Sequence, residues 1–194
     1  MARRTRAEME QTRAILLDTA RQVFSEHGYA ETSMDDLTAQ ADLTRGALYH
    51  HFGDKKGLLT AVVAQIDAEM DARLQAISDS ASDPWQGFRD RCRAYLEMAR
   101  EPQIQRIVLR DARAVLGTPA PQAQLHCVAS LKTLLETLMS QGLVADADAQ
   151  ALAVMIGGAL TESALWIAEA EGQSQRLEQA LAAMELLLNG LRRH

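Results

Sequence analysis

Between residues 7 and 27 the apolar positions Leu16, Ala20, Val23 and Phe24 recur at helical spacing, and His27 with Gly28 supplies a last-turn cation and a stop. The pattern predicts a first helix there. Ser33 then stands where it can cap a second helix whose acidic capping-box position is Asp36, with Met34, Leu37 and Ala41 as its apolar stripe. Asp42, Leu43 and Thr44 interrupt it, and Thr44 can cap a third helix from Arg45 to Phe52. Two short helices joined by a three-residue turn predict a helix-turn-helix. At 100° per residue, Leu48 and Phe52 share the inward face of the third helix, Gly46 and His50 lie opposite, and Tyr49 and Arg45 occupy a flank.

Asp54 can cap a long fourth helix whose stripe is Leu59, Val62, Val63, Ile66 and Met70, reaching about residue 78. The polar stretch 78–83 ends it, and Asp83 with Pro84 opens a fifth helix bearing Trp85, Phe88, Cys92, Tyr95 and Leu96. Further helices are expected over about 103–115, from the Gly117–Pro121 break to Gly142, over 148–171 and over 175–191. The predicted fold is all-α: an N-terminal three-helix helix-turn-helix unit with its arm, residues 1–53, and a C-terminal helical unit, residues 54–194, to which the helix of about 54–78 connects it.

Composition supports that reading. Only 4 prolines and 11 glycines punctuate 194 residues, and 47% of positions are apolar. No apolar run is expected to reach the roughly 20 residues of a bilayer span, and the charged N-terminus lacks a signal-peptide core, so a cytoplasmic protein without a membrane partner is expected. Cys92 and Cys127 are in no metal-ligand spacing, which makes them packing residues. The net charge of −6 argues against indiscriminate nucleic-acid binding. The cations of the N-terminal part nevertheless gather in two places, an arm with Arg3, Arg4 and Arg6, and a cluster of Arg45, Lys55 and Lys56.

Phe24, Gly28 and Tyr29, then Thr32, Ser33, Met34, Asp35, Asp36 and Leu37, then Leu48, Tyr49, Phe52, Lys55 and Leu58 stand in a spacing that resembles the N-terminal domain of TetR-family transcription regulators. The likeness covers about residues 13–63; the remainder shows only the helical outline. It implies a homodimer whose recognition helices enter successive major grooves of a palindromic double-stranded operator, with a small-molecule effector site in the C-terminal domain. It also implies phosphate contacts for Thr32, Ser33, Tyr49 and Lys55, groove-facing roles for Arg45, Gly46 and His50, and a place for Thr44 at the start of the recognition helix. Elementary chemistry agrees, since arginine can pair bidentately with guanine whereas Tyr and Lys hold phosphates without reading sequence. The arm of Arg3, Arg4 and Arg6 either reaches a minor groove or adds phosphate attraction.

An apolar effector pocket would draw on Trp85, Phe88, Tyr95, Met98, His126, Met155 and Trp166, with Glu162 as a charge beside it. Leu177, Leu181, Met184, Leu188 and Leu191 form an apolar seam, and Gly158 in the preceding helix admits a close neighbour, so these are the expected dimer contacts. Neither a metal nor a cofactor is expected: His50 and His51 are adjacent and diverge by about 100°, and no catalytic or nucleotide-binding signature is present. The reading is a ligand-released repressor, not an enzyme; the competing one is a helical dimer that binds no DNA.

Overall fold

The computed structural model describes residues 5–117 and 121–193, with side chains throughout except over 121–126. The described residues form helices α1 (Arg6–His27), α2 (Met34–Gln40), α3 (Arg45–Phe52), α4 (Lys55–Ser80) and α5 (Pro84–Met98), then a π-helical segment (Ile104–Ala112) that runs into α6 (Arg113–Leu116). Three more follow: α7 (Pro121–Ser140), α8 (Ala149–Ala168) and α9 (Gln173–Asn189). No strand occurs among these residues; a single bridge ties Val144 to Arg192.

Local chemistry sets the boundaries. The Thr5 hydroxyl and Glu8 carboxylate form a reciprocal capping box at the start of α1, so Arg6 lies inside that helix and not on a loose arm. Its guanidinium is turned back to Glu10 at 3.1 Å. Arg3 and Arg4 lie outside the described residues. Gly28 closes α1 at a φ of 82°, a left-handed angle costly to any side chain, and the Arg106 guanidinium covers it. Ser33, Thr44 and Asp54 each accept a backbone N–H at the start of α2, α3 and α4.

Two apolar cores meet along α4 and α5. The first joins Leu16, Ala20, Phe24, Leu37 and Leu48 of the helix-turn-helix to Leu58, Leu59, Val62 and Ile66 of α4, and continues into Met98, Ile104 and Ile107. The helix-turn-helix is therefore welded to the body. The second contains Trp85, Phe88 and Cys92 of α5 with the inner faces of α7, α8 and α9.

The segment expected as an ordinary helix over 103–115 is mostly π-helical. Wide π turns are rare and favour functional places. Here the turn keeps Ile104, Val108 and Ala112 on one face, while Asp111 accepts the Tyr29 N–H at 2.7 Å on the other. α8 corrects a second expectation, because Ala149–Ala168 is long and apolar enough, by composition, to cross a bilayer. One side of it, with Ala153, Ile156, Leu160 and Ile167, is core of this fold; Val154, Met155 and Trp166 lie on the exposed side.

Candidate DNA interface and effector cavity

The face of α3 opposite Leu48 is open to solvent. Leu48 is fully buried, while Thr44, Arg45, Gly46, Tyr49 and His50 are exposed. A Cβ placed on Gly46 would find only the Thr44 hydroxyl, at 3.9 Å, so nothing inside this chain demands glycine there. Arg45 makes an ion pair with Asp35 of α2 at 2.8 Å, both side chains about 60% exposed, an arrangement weak enough in water to be exchanged for another partner.

Flanking groups differ from one another. Ser33 is exposed; its oxygen accepts the Asp36 N–H at 3.0 Å, which leaves its own hydrogen to donate outward. Thr32 is corrected by its surroundings: the side chain is buried, and its hydroxyl donates to the Gly28 carbonyl at 2.7 Å, so it shapes the turn before α2 instead of offering a phosphate contact. The Lys55 ammonium donates to the Ala30 carbonyl at 3.3 Å and stands 4.4 Å from the Tyr29 ring centre. Partial burial lowers its pKa, against the opposing pull of Glu31 and Asp111.

On the far side of α4 lies a cavity of about 620 Å³, within the range of small-molecule sites. α4 contributes Val63, Asp67, Met70 and Asp71, α5 contributes Tyr95, and the π-helical segment contributes Ile104, Val108, Leu109 and Ala112. Arg113, Cys127, Val128, Gly157, Thr161 and Leu165 complete much of the wall. A second concavity, between Arg89, Leu181 and Glu185, holds only about 10 Å³ and could take little more than one water.

Of the aromatic and methionine residues expected in this pocket, only Tyr95 lines it. Trp85 and Phe88 pack in the second core and Met98 in the first; Tyr95 shares the face of Phe88 but stands two turns further along α5, where the cavity reaches that helix. Met155 and Trp166 lie on the outer face of α8, and Trp166 is covered by the Arg176 guanidinium. Glu162 is exposed and pairs from outside with Arg113 at 3.2 Å. His126 has no described side chain.

The cavity's polar groups were missed. Asp71 receives the nearly buried Arg91 guanidinium at 2.7 Å and lies 3.4 Å from the Ser130 hydroxyl. Tyr95, whose burial pushes its pKa up to about 12, approaches the Thr161 hydroxyl at 3.5 Å. Burial also raises the Cys127 thiol, and it drives Cys92 to about 12, so neither is poised as a thiolate. Asp67 is raised to about 6 by burial. A sequence signal for it existed: an acid four residues after Val63 and three before Met70 interrupts the stripe of α4.

The apolar seam of α9 also turns inward. Leu177, Met184 and Leu188 are buried in their own chain, Leu181 packs beside them, and Leu191 belongs to a clasp in which its carbonyl accepts the Ala145 N–H. The face left open carries Leu186 and Leu187, which are 77% and 61% exposed, with Val154 and Met155 on α8. Gly158 is exposed beside them, with no atom within 4 Å of a Cβ built on it.

Two family profiles match this chain: "Bacterial regulatory proteins, tetR family" over residues 16–62, and "Tetracyclin repressor-like, C-terminal domain" over residues 85–191. A crystal structure of a TetR-family transcriptional regulator from Pectobacterium atrosepticum is 71% identical, with a TM-score of 0.93, and the match covers 98% of this chain and 99% of that one. The "HTH-type transcriptional regulator SrpR" of Pseudomonas putida is 44% identical over 64 residues, 33% of this chain and 30% of that protein. The chain spans about a third of that relative's length. The "Probable acrEF/envCD operon repressor" of Escherichia coli strain K12 is 27% identical over 172 residues, 83% of this chain and 78% of that protein.

Proposed function

We propose, starting from the fact that this chain belongs to the TetR family of DNA-binding transcriptional regulators and is not an enzyme, that it is a homodimeric repressor released from a palindromic operator by a small, largely apolar effector. The observation that carries the reading is the joint placement of an open α3 face and a 620 Å³ cavity at two ends of one continuous core. Residues 1–53 act as the DNA-reading unit and 54–194 as the effector and dimerisation unit, working in the cytoplasm where the operator is.

In this reading Arg45 and His50 enter the major groove, Gly46 lets the backbone approach closely, and Ser33, Thr44, Tyr49 and Lys55 hold phosphates. The dimer forms through the open face of α8 and α9, where Leu186, Leu187, Val154 and Met155 are exposed and Gly158 leaves room for a neighbouring helix. Release follows from shared elements. The π-helical segment offers Ile104, Val108 and Ala112 to an occupant of the cavity and holds Tyr29 through Asp111, while Arg21 of α1 bonds Gln103 at 3.0 Å and Glu69 of α4 at 2.6 Å. An occupant that shifts this segment alters the separation of the two recognition helices, which must match about 34–36 Å to engage both half-sites.

The test is equilibrium binding to the DNA upstream of the protein's own gene across a salt series. Arg45→Ala relaxes specificity at one base pair by about 1–3 kcal/mol. Lys55→Ala weakens all sequences alike and flattens the salt slope by about one unit. Wild-type affinity in both variants would remove α3 and its flank from the interface.

A further inference from the structure

Among the described residues, charge along the cavity wall is balanced except at one place. Asp71 is answered by Arg91 at 2.7 Å, and Arg113 by Glu162 at 3.2 Å. Asp67 lines the same cavity from the middle of α4 and has neither an ion pair nor a hydrogen bond among the described residues. Around it the wall is mostly aliphatic, with Val63, Met70, Val108 and Leu109. The Thr161 hydroxyl donates to the Gly157 carbonyl at 2.9 Å and stands 3.5 Å from the Tyr95 hydroxyl, and neither group supplies a positive charge.

An ionised carboxylate at an apolar wall loses water without gaining a partner, and a positive group brought by an occupant would restore that loss. An anionic occupant would bring its charge beside Asp67 and Asp71 and would have to draw Arg113, the one cation among the described lining residues, away from Glu162. We infer that the cavity takes a cationic amphiphile, an organic ammonium or amidinium with an apolar body, whose positive end pairs with Asp67. The raised pKa of Asp67, about 6 through burial, is what an unanswered carboxylate in this setting should have, and it still leaves the group largely ionised at neutral pH. This inference rests on the cavity being the effector site.

Calorimetric titration of the full-length protein, free of DNA and at neutral pH, with three probes of equal chain length tests it: n-decylammonium, 1-decanol and decanoate. Decylammonium is expected to bind about tenfold or more tighter than decanol, with decanoate the weakest. Asp67→Asn, which removes an unpaired charge and should fold at least as well, brings decylammonium down to the level of decanol while leaving decanol itself unchanged. Equal binding of the three, tightest binding of decanoate, no binding of decylammonium, or an Asp67→Asn protein with full ammonium affinity would each overturn the inference. An operator titration with the same probe separates the two readings: Asp67-dependent binding that leaves operator affinity unchanged would sink effector release and leave the cavity's charge preference standing.

Discussion

The DNA-facing end of the molecule and its cavity place their polar groups in opposite surroundings. On α3 the groups with no structural duty stand in water, where Arg45 and Asp35 share a pair that either can leave. In the cavity Asp67 is held where ionisation is disfavoured, and the chain tolerates it among Val63, Met70 and Val108. A surface waiting for a polyanion keeps its cations solvated until contact, when counterion release drives binding. A pocket waiting for a small molecule can instead hold an unsatisfied group before the ligand comes, because that group's gain on pairing becomes selectivity. The same distinction divides α9, which has one face committed to its own chain and one left open.

Substitution on the two faces of α9 should give the largest difference. Leu188→Asp places a charge at a site only 2% exposed and should cost about 4 kcal/mol or more, seen as lost helicity in circular dichroism. Leu186→Asp, at 77% exposure, should keep the helical spectrum yet sediment as a monomer and lose operator binding. A Leu186→Asp protein that stayed dimeric would move the interface away from this face.

Asp67 supplies the next effect. Its folded pKa of about 6 lies above its ordinary 3.8, so the folded state binds this proton more tightly than the unfolded chain does. The contribution to stability is present in acid and is lost as pH rises from about 4 to about 6. Asp67→Asn should therefore raise stability at neutral pH by on the order of 2 kcal/mol and make little difference below pH about 4. Denaturant melts of both proteins across that range check the sign, and a neutral-pH loss in the variant would mean that Asp67 has a partner.

These contrasts also explain what was legible in the sequence. Ser33, Thr44, Asp54 and Gly28 announce helix ends through local chemistry, so the helix-turn-helix could be traced residue by residue. Position in the bundle is not local. Trp85 and Phe88 have the composition of pocket walls but sit near the start of α5, packed with α7, α8 and α9, while the cavity reaches that helix only two turns later at Tyr95. Leu177, Leu181, Met184 and Leu188 recur at the spacing of an interhelical seam, and spacing alone does not say whether the opposing helix belongs to the same chain. The buried hydroxyl of Thr32 and the π turns of Ile104–Ala112 were likewise set by tertiary packing.

The smallest effect should come from Gly46→Ala. With open space at its Cβ position, the change should stabilise the free protein by about 0.5–1 kcal/mol through α3 while weakening operator binding several fold. Thermal melts and anisotropy titration on one preparation read both signs. A stabilised variant with unchanged operator affinity would mean that nothing approaches α3 closely.

The claim that two α3 helices read one operator together is tested most directly by changing the distance between half-sites. Inserting about five base pairs turns the second half-site to the opposite side of the duplex, out of reach of a dimer whose helices are spaced for one turn. The account predicts that affinity falls to that of a single half-site and that insertion of a full turn, about ten base pairs, recovers less than the original affinity. Affinity indifferent to both insertions would contradict it.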